Sequence, residues 1–184
     1  TIGTTDTTVK AVWIKKVTLT LNLDGGTITN NVSGVYSRNT TITLGTPTKT
    51  GYDFSKWQIT AGDSVLSGNK LTIGTTDTTV KAVYAAKKYT VTYNANGGTV
   101  SGTSKSVTYN AKYGTLPTPQ RAGYSFLGWY TAKTGGSKIT ETTVVKITSN
   151  QTIYAQWKQI TYDLISKNYK CKNSSSGTTP YIEY

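Results

Sequence analysis

The chain has 184 residues and a formal net charge of +12, with no histidine, no methionine and one cysteine. Without histidine there is no ordinary catalytic triad and no imidazole base, and a single cysteine cannot make a structural zinc site, so no catalytic residue, metal ligand or cofactor is predicted. Hydrophobic content is low at 35%, but aromatic residues are plentiful and no apolar run approaches the roughly 18 residues of a membrane span, so a folded chain without membrane insertion is expected.

A repeated sequence organises the chain. Residues 1–12 read TIGTTDTTVKAV, and the same letters return at 72–83. Other landmarks recur at a spacing of 72 residues, namely Gly25-Gly26 with Gly97-Gly98, Gly51-Tyr52 with Gly123-Tyr124, Phe54 with Phe126, and Trp57 with Trp129. The predicted divisions are the closing strands of a preceding repeat (1–16), repeat 1 (17–86), repeat 2 (87–158), and a linker or the start of a further β domain (159–184).

Each repeat is predicted to consist mainly of strands. In KYTVTYN, Tyr89, Val91 and Tyr93 alternate with threonines, which is the period of a strand with one buried face. The closing strands of the two repeats, TTVKAVY and QTIYAQW, show the same alternation. Threonine is abundant, and its β-branched polar side chain suits the exposed face of a sheet.

Turns and helices are predicted from glycine and proline. Asp24-Gly25-Gly26 and Asn96-Gly97-Gly98 supply residues that tolerate positive φ, and they therefore predict two tight turns. Weak helical potential is confined to residues 110–116, before two prolines stop it. At most one short helical turn per repeat is expected.

Both repeats contain the pattern Gly-Tyr-x-Phe-x-x-Trp, whose aromatic residues could hold a ligand or fill a core. In a regular strand Phe126 and Trp129 would point to opposite faces, and a bulge near Leu127-Gly128 would bring them to one side. A small domain poor in leucine and isoleucine needs buried aromatics, each contributing ~2–3 kcal/mol, so a core is favoured over a sugar-stacking platform. The predicted core residues are Phe54, Trp57, Tyr84, Phe126, Trp129 and Trp157, and the expected exposed pair is Tyr113 and Tyr130.

The landmarks of repeat 2 occur in a characteristic order. An Asn-Gly-Gly turn, YGTLPTPQRAGYSFLGWYTAKTGG and a closing TIYAQW resemble the Listeria-Bacteroides repeat, the family of the internalin B-type B repeat, over about 70 residues. Repeat 1 resembles a divergent copy, with Lys56 in place of Gly128 and no YTAKTGG continuation. The resemblance implies a mainly β (α+β) fold of tandem small β-grasp-like domains, each a mixed sheet with at most one short helix. It implies bacterial surface or secreted proteins and no catalytic residues.

Positive charge is concentrated in the second half of the chain. Residues 85–157 hold eight lysine and arginine residues but one acid, Glu141. Such a surface could attract an anionic cell-wall or host polysaccharide, or it could simply keep a β protein soluble and protect its sheet edges. Nucleic acid is not expected, because lysine dominates and no nucleic-acid motif occurs. The candidate contacts for an anionic polymer are Lys105, Lys112, Arg121, Lys133 and Lys138.

Three residues suggest narrower chemistry. Asp24 precedes a glycine, but the Asp-x-Asp run of a calcium loop is missing, so a turn is favoured. A Lys–Asn cross-link near Glu141 is conceivable in a surface stalk. Cys171 lies outside both repeats, where it would pair with a cysteine elsewhere or stay free.

Three functions are compatible with the sequence. The first is a non-catalytic stalk or spacer in a larger bacterial surface or secreted protein. The second is an adhesion module that binds an anionic polysaccharide or host surface through repeat 2. The third is a subunit of an extracellular filament or phage fibre, in which neighbouring copies complete an exposed sheet edge.

Overall fold

The computed structural model describes residue 8 and residues 10–161. Within these residues the chain forms strands and no helix. The strands are β1 (Lys16–Asn22), β2 (Gly34–Ser37), β3 (Thr41–Thr43), β4 (Tyr52–Ala61), β5 (Val65–Ser67), β6 (Lys70–Thr72), β7 (Thr78–Ala86), β8 (Lys88–Asn94), β9 (Ser104–Thr108), β10 (Tyr124–Tyr130), β11 (Lys138–Ile139) and β12 (Gln151–Gln159). The all-β architecture confirms the predicted fold class. The short helix that the prediction allowed in each repeat does not form within the described residues.

Repeat 1 is built from two sheets. The larger sheet has the order β2-β1-β7-β4, in which β1 and β7 are parallel and the outer pairs are antiparallel. The smaller sheet has the order β3-β6-β5 and is antiparallel. Both contribute to one hydrophobic cluster, in which Leu19 and Val80 from the larger sheet are buried together with Leu71 from the smaller.

Repeat 2 repeats the larger sheet of repeat 1. Its order is β11-β10-β12-β8-β9, with β8 and β12 parallel and the other pairs antiparallel. Val91, Ile153 and Ala155 of the two central strands are fully buried in a second cluster. The alternation predicted for β8 is confirmed, because Val91 and Tyr93 are buried while Thr90 and Thr92 are exposed.

The segment with helical potential is held in an irregular, extended course. Asn110 has a φ of 63°, which a right-handed helix does not admit. The amide of Tyr113 donates to the carbonyl of Thr143, and the amide of Gly114 donates to the carbonyl of Glu141, both at 2.9 Å. These bonds to a distant part of the chain replace the local bonds that a helix would need.

The two predicted turns form, but their glycines have different tasks. Asp24 and Gly25 have φ of 49° and 80°, and Asn96 and Gly97 have φ of 48° and 89°. The next glycine in each turn, Gly26 or Gly98, does not have positive φ. A Cβ on Gly98 would lie 2.7 Å from the Trp157 ring, so this position has no room for a side chain.

The chain ends were predicted to contain strands of other domains. Residues 1–7 and 9 lie outside the described part, whereas residues 10–15 carry no strand and are exposed, with Trp13 at 92%. At the other end β12 stops at Gln159, and residues 162–184, including Cys171, lie outside the described part.

Candidate functional site

A β-bulge in β10 sets the direction of the aromatic side chains in repeat 2. Phe126 pairs with Trp157 and Trp129 pairs with Ala155, but the register shifts between Phe126 and Gly128. The bulge leaves Leu127 43% exposed and brings Phe126 and Trp129 to the same face, which confirms the predicted bulge. Gly128 has a φ of 141°, a conformation that favours glycine.

Repeat 1 forms the corresponding bulge without glycine. The register of β4 shifts between Phe54 and Lys56, and Lys56 does not have positive φ. A second shift follows between Ile59 and Ala61, where β4 continues along β7. The divergent loop of repeat 1 is therefore preceded by a longer strand than the one in repeat 2.

The two motif tryptophans are enclosed, and both indole N–H groups have acceptors. Trp129 is 2% exposed and donates through Nε1 to the carbonyl of Pro117 at 2.8 Å. Trp57 is 4% exposed and donates to the carbonyl of Gly45 at 3.0 Å. With the ring buried and its only donor satisfied, neither tryptophan presents a face to a ligand.

The aromatic residues of the closing strands are half-buried against the motif. Trp157 donates through Nε1 to the carbonyl of Ala95 at 2.9 Å, and the Tyr84 hydroxyl donates to the carbonyl of Leu23 at 3.1 Å. The rings of Phe126 and Trp157 are tilted by 59°, and those of Phe54 and Tyr84 by 75°. Tilted, partly covered rings pack like a core and do not offer the flat surface on which a sugar stacks.

The prediction that Tyr113 and Tyr130 form an exposed pair is wrong for Tyr113. Tyr113 is only 4% exposed, and its hydroxyl donates to Oε1 of Gln151 at 3.0 Å. Burial raises the pKa of Tyr113 above its ordinary value. Tyr130 is half-buried, with the Lys138 ammonium 5.9 Å from its ring centre. No exposed aromatic pair results from these two residues.

Two of the five candidate contacts for an anionic polymer donate hydrogen bonds within repeat 2. The Lys105 ammonium donates to the carbonyls of Tyr113 and Thr115, at 2.7 and 2.9 Å. The Arg121 guanidinium lies 3.8 Å from the centre of the Tyr124 ring and donates to the carbonyl of Asn96 at 3.2 Å. Both cations hold loops in place.

The other three candidates, Lys112, Lys133 and Lys138, are exposed, but they belong to different parts of the repeat. Lys133 adjoins Asn96, whose side-chain amide donates to the Lys133 carbonyl at 3.3 Å. Lys138 lies on β11, while Lys112 lies in the connection after β9. The five positively charged residues predicted from the sequence therefore do not form one common surface patch.

One exposed lysine near Lys112 was not among the candidates. The amide of Val145 donates to the carbonyl of Ala111, so Lys112 and Lys146 flank the same hydrogen bond. The Lys146 ammonium lies 2.6 Å from Oδ1 of Asn110. A backbone hydrogen bond between their two segments therefore brings these two exposed lysines near each other.

The conceivable Lys–Asn cross-link gains no support from this arrangement. Lys146 and Asn110 are in contact, but both are exposed, whereas a cross-link needs a carboxyl group to transfer the proton in a dry site. Among the described residues no hydrogen bond or ion pair joins the Glu141 side chain to them. No group of three or more potential metal ligands occurs in the described part either.

Two of the acidic residues of repeat 1, Asp24 and Asp63, hold turns. Asp24 pairs with Lys49 and Lys81 at 3.2 and 3.1 Å, and hydrogen bonding, first from Lys81, lowers its pKa. Asp63 accepts bonds from the hydroxyls and amides of Thr75 and Thr76. These bonds, that from the Thr75 hydroxyl first, hold the pKa of Asp63 well below its ordinary 3.8.

Comparison with known families agrees with this geometry. Residues 89–156 match the Listeria-Bacteroides repeat domain, and residues 17–88 match the divergent InlB B-repeat domain. The chain contains two tandem B repeats of this family. Both matched domains are non-catalytic repeat modules, and repeats of this kind are typical of surface proteins such as internalins.

Two curated relatives contain similar B repeats. Internalin H of Listeria monocytogenes is 31% identical over 153 residues, covering 72% of this chain and 27% of the relative. A putative membrane protein of Evansella cellulosilytica is 29% identical over 188 residues, covering 98% of this chain and 26% of the relative. The chain thus spans about a quarter of the length of either relative. In the described part of this chain, no helix is long and apolar enough to cross a bilayer.

The enclosed position of Trp129 predicts a large effect of its removal. Trp129→Ala should destabilise repeat 2 by about 3–5 kcal/mol, because it leaves a cavity and an unpaired Pro117 carbonyl. Denaturant unfolding followed by circular dichroism measures this change. Trp13→Ala is the matched control, since Trp13 is 92% exposed and should contribute little. A Trp129→Ala protein as stable as Trp13→Ala would contradict the core assignment.

The hydrogen bonds to Asp63 predict a pH-dependent contribution to stability. A carboxyl whose pKa is depressed by folding stabilises the folded state above its unfolded pKa, near 3.8, and loses that contribution as pH falls below it. Asp63→Asn should therefore lower the unfolding midpoint of repeat 1 at pH 7, and the difference should shrink in acid.

Asp77→Asn is the matched control for this change. Asp77 accepts a bond from the Thr18 amide at 2.8 Å, and Asn150 accepts the same bond from Thr90 in repeat 2. Asparagine at position 77 should thus be tolerated. An Asp63→Asn midpoint difference that is constant from pH 7 to pH 2 would refute the electrostatic explanation.

Proposed function

We propose that the two B repeats act as a stiff spacer in a larger bacterial surface or secreted protein. The observation that carries this proposal is the junction between them, where a single residue, Lys87, separates β7 from β8. A one-residue connection leaves little freedom of rotation between domains, in contrast with a flexible linker of many residues. For a role as a stiff spacer, the geometry of this connection matters more than the charge or the length of the chain.

The backbone of Lys87 is bonded to both repeats. Its amide donates to the carbonyl of Gly51 in repeat 1 at 2.9 Å, and its carbonyl accepts from the amide of Tyr109 in repeat 2 at 2.8 Å. Its ammonium lies 3.3 Å from the Asp53 carboxylate, in an exposed pair that adds little. Rotation about the Lys87 backbone would break at least one of the two backbone bonds.

An aromatic contact reinforces the junction. The rings of Tyr52 and Tyr109 meet edge to face with centres 5.4 Å apart. The Tyr109 ring lies directly against Gly51, where a Cβ would collide with it. Gly51 also has a φ of 78°, so glycine serves both the turn and the close approach. Together these contacts favour a fixed relation between the two repeats.

The comparisons with known families are compatible with a spacer role, although they do not identify that role. Both matched domains are repeat modules, and the relatives are several times longer than this chain. Tandem modules whose neighbours contact each other add length to a protein with each copy. A stiff junction makes that added length usable for projecting another domain from a surface.

Lengthening the junction tests the stiffness. Two residues, Gly-Ser, inserted between Ala86 and Lys87 should broaden the distribution of interatomic distances in small-angle X-ray scattering, because the Gly51 and Tyr109 bonds can no longer form together. The same insertion between Gly135 and Gly136, in an exposed loop, is the matched control and should leave the distribution unchanged. A profile equally broad in all three proteins would mean that the junction is flexible.

A second function, binding of an anionic polysaccharide, is favoured by one observation. Lys112 and Lys146 lie side by side on repeat 2, and the one acidic residue between positions 85 and 157 is Glu141. Exposed ammonium groups attract polyanions, and the attraction weakens as salt screens it. Arg121 and Lys105 contribute less, because they are half-buried and donate to backbone carbonyls, whereas Lys146 is exposed and donates to the exposed side chain of Asn110.

Heparin serves as a probe for this second function. Replacing Lys112 and Lys146 by alanine should lower the salt concentration at which the chain elutes from a heparin column. Replacing Lys56 and Lys70, two exposed lysines of repeat 1, removes the same charge and should have a smaller effect. Equal shifts for the two pairs would indicate non-specific attraction and no defined surface on repeat 2.

A further inference from the structure

The sheet of repeat 2 has one face directed away from its core. In β10 and β12 the buried residues Trp129, Ile153 and Ala155 point to the core. Side chains alternate along a strand, so Tyr130 and Tyr154 point to the opposite side of the sheet. We call this side the outer face of repeat 2.

Tyr130 and Tyr154 lie side by side on the outer face. They are direct partners in the register of β10 and β12, and the Cβ atoms of such a pair are about 4.5–5.5 Å apart. Both residues are half-buried, yet neither ring belongs to the core cluster of repeat 2. Within the described residues, neither hydroxyl makes a hydrogen bond to another side chain or to the backbone. The core therefore does not account for these two rings.

Polar and positively charged side chains surround the tyrosine pair. The row that contains both rings continues to the exposed residues Asn94 on β8 and Lys138 on β11. The Lys138 ammonium lies 5.9 Å from the centre of the Tyr130 ring, and its side chain crosses Gly128, where a Cβ would collide with it. The flanking outer-face positions of β8 and β9 are also exposed and carry hydroxyl groups, namely Thr90, Thr92, Ser104 and Ser106.

Repeat 1 has no rings at the corresponding positions. These positions are Gln58 and Lys81, which are partners in the register of β4 and β7. Lys81 forms an ion pair with Asp24 at 3.1 Å. The fold of a B repeat therefore does not require a tyrosine at either position, and packing alone does not explain the pair in repeat 2.

We propose that the outer face of repeat 2 binds an acidic polysaccharide, with its sugar rings against Tyr130 and Tyr154 and its carboxylate groups near Lys138. This rests on the second function proposed above, to which it assigns one face of the repeat. The apolar C–H side of a sugar ring can cover a tyrosine ring while neighbouring hydroxyl and amide groups bond the sugar hydroxyls. The described strands of repeat 2 contain no aspartate or glutamate, so a polyanion meets no like charge there.

A protein partner fits the outer face less well. Its apolar area is confined to two half-buried rings, and Leu127 is the one exposed aliphatic residue in the strands β8 to β12. The core of a protein–protein interface is depleted in serine and in charged residues, whereas both surround the rings here. Rings bordered by hydroxyl groups and a cation are better matched to a sugar acid.

Chemical shifts locate the bound polymer. Titration of the isotope-labelled 184-residue chain with an oligogalacturonate should move the amide resonances of Thr92, Tyr130 and Tyr154 most. Shifts confined to the surroundings of Lys112 and Lys146 would place the polymer on the other surface and overturn the proposal.

A substitution at Tyr130 tests the contact with the ring. Tyr130→Gln introduces the residue that repeat 1 has at this position, so the protein should fold, and its unfolding midpoint checks this. The dissociation constant for the oligogalacturonate, measured by calorimetry, should rise about tenfold because the stacking surface is lost. Tyr130→Phe is the matched control, since it keeps the ring and removes an unbonded hydroxyl, and it should change the constant by less than about twofold.

A lysine pair tests the role of charge. Lys138→Gln should weaken binding of the oligogalacturonate and reduce its dependence on salt, because the ammonium near Tyr130 is lost. Lys112→Gln removes the same charge from the connection after β9 and should have a smaller effect. A neutral dextran should bind at least about tenfold more weakly than the oligogalacturonate.

Three results would overturn the proposal. Unchanged affinity in a folded Tyr130→Gln protein would mean that the polymer does not contact the ring. Equal affinity for dextran would mean that the site does not select an acidic sugar. Loss of affinity in Lys112→Gln alone would exclude the outer face and leave the second function intact, whereas no binding of the oligogalacturonate or of heparin to the unaltered chain would overturn both.

Discussion

In each repeat one tryptophan is enclosed by the sheet and donates its indole N–H to a backbone carbonyl twelve residues earlier. A buried donor without an acceptor costs about 1–3 kcal/mol. The segment that carries the carbonyl must therefore run within hydrogen-bond distance of the indole nitrogen. This requirement accounts for the extended course of the chain through Pro117 and for the bulge that turns Trp129 inward. Trp157 then covers the motif, and Gly98 is small enough to lie beneath it.

The features that the sequence predicted well are those with local causes. The buried faces of the long strands follow from alternation over seven or more residues, and the β10 bulge follows from the spacing of Phe126 and Trp129 around a glycine. The smaller sheet of repeat 1 could not be recognised in this way, because β3, β5 and β6 have three residues each, too few to show a period. Two tandem domains were detectable because the chain repeats itself.

Other features depend on residues far away in the sequence and were missed. Tyr113 resembles an exposed loop tyrosine, and it is buried because the chain near residues 141–145 hydrogen-bonds along its segment. Gly98 resembles a turn glycine, yet its size matters because of a tryptophan 59 positions later. Net charge was readable from composition, whereas the internal use of Lys105 and Arg121 depends on loops that the sequence does not place.

In the larger sheet of repeat 1 and in the sheet of repeat 2, the strand that opens the repeat lies parallel to the strand that closes it. This pairing has a mechanical consequence. Because β8 and β12 are parallel neighbours, the chain enters repeat 2 at one end of this pair and leaves it at the other. Tension along the polypeptide would act along both strands and load their hydrogen bonds together in shear, instead of unzipping them one by one. The parallel pair β1 and β7 of repeat 1 is arranged in the same way. Force would pass from one parallel pair to the next through Lys87.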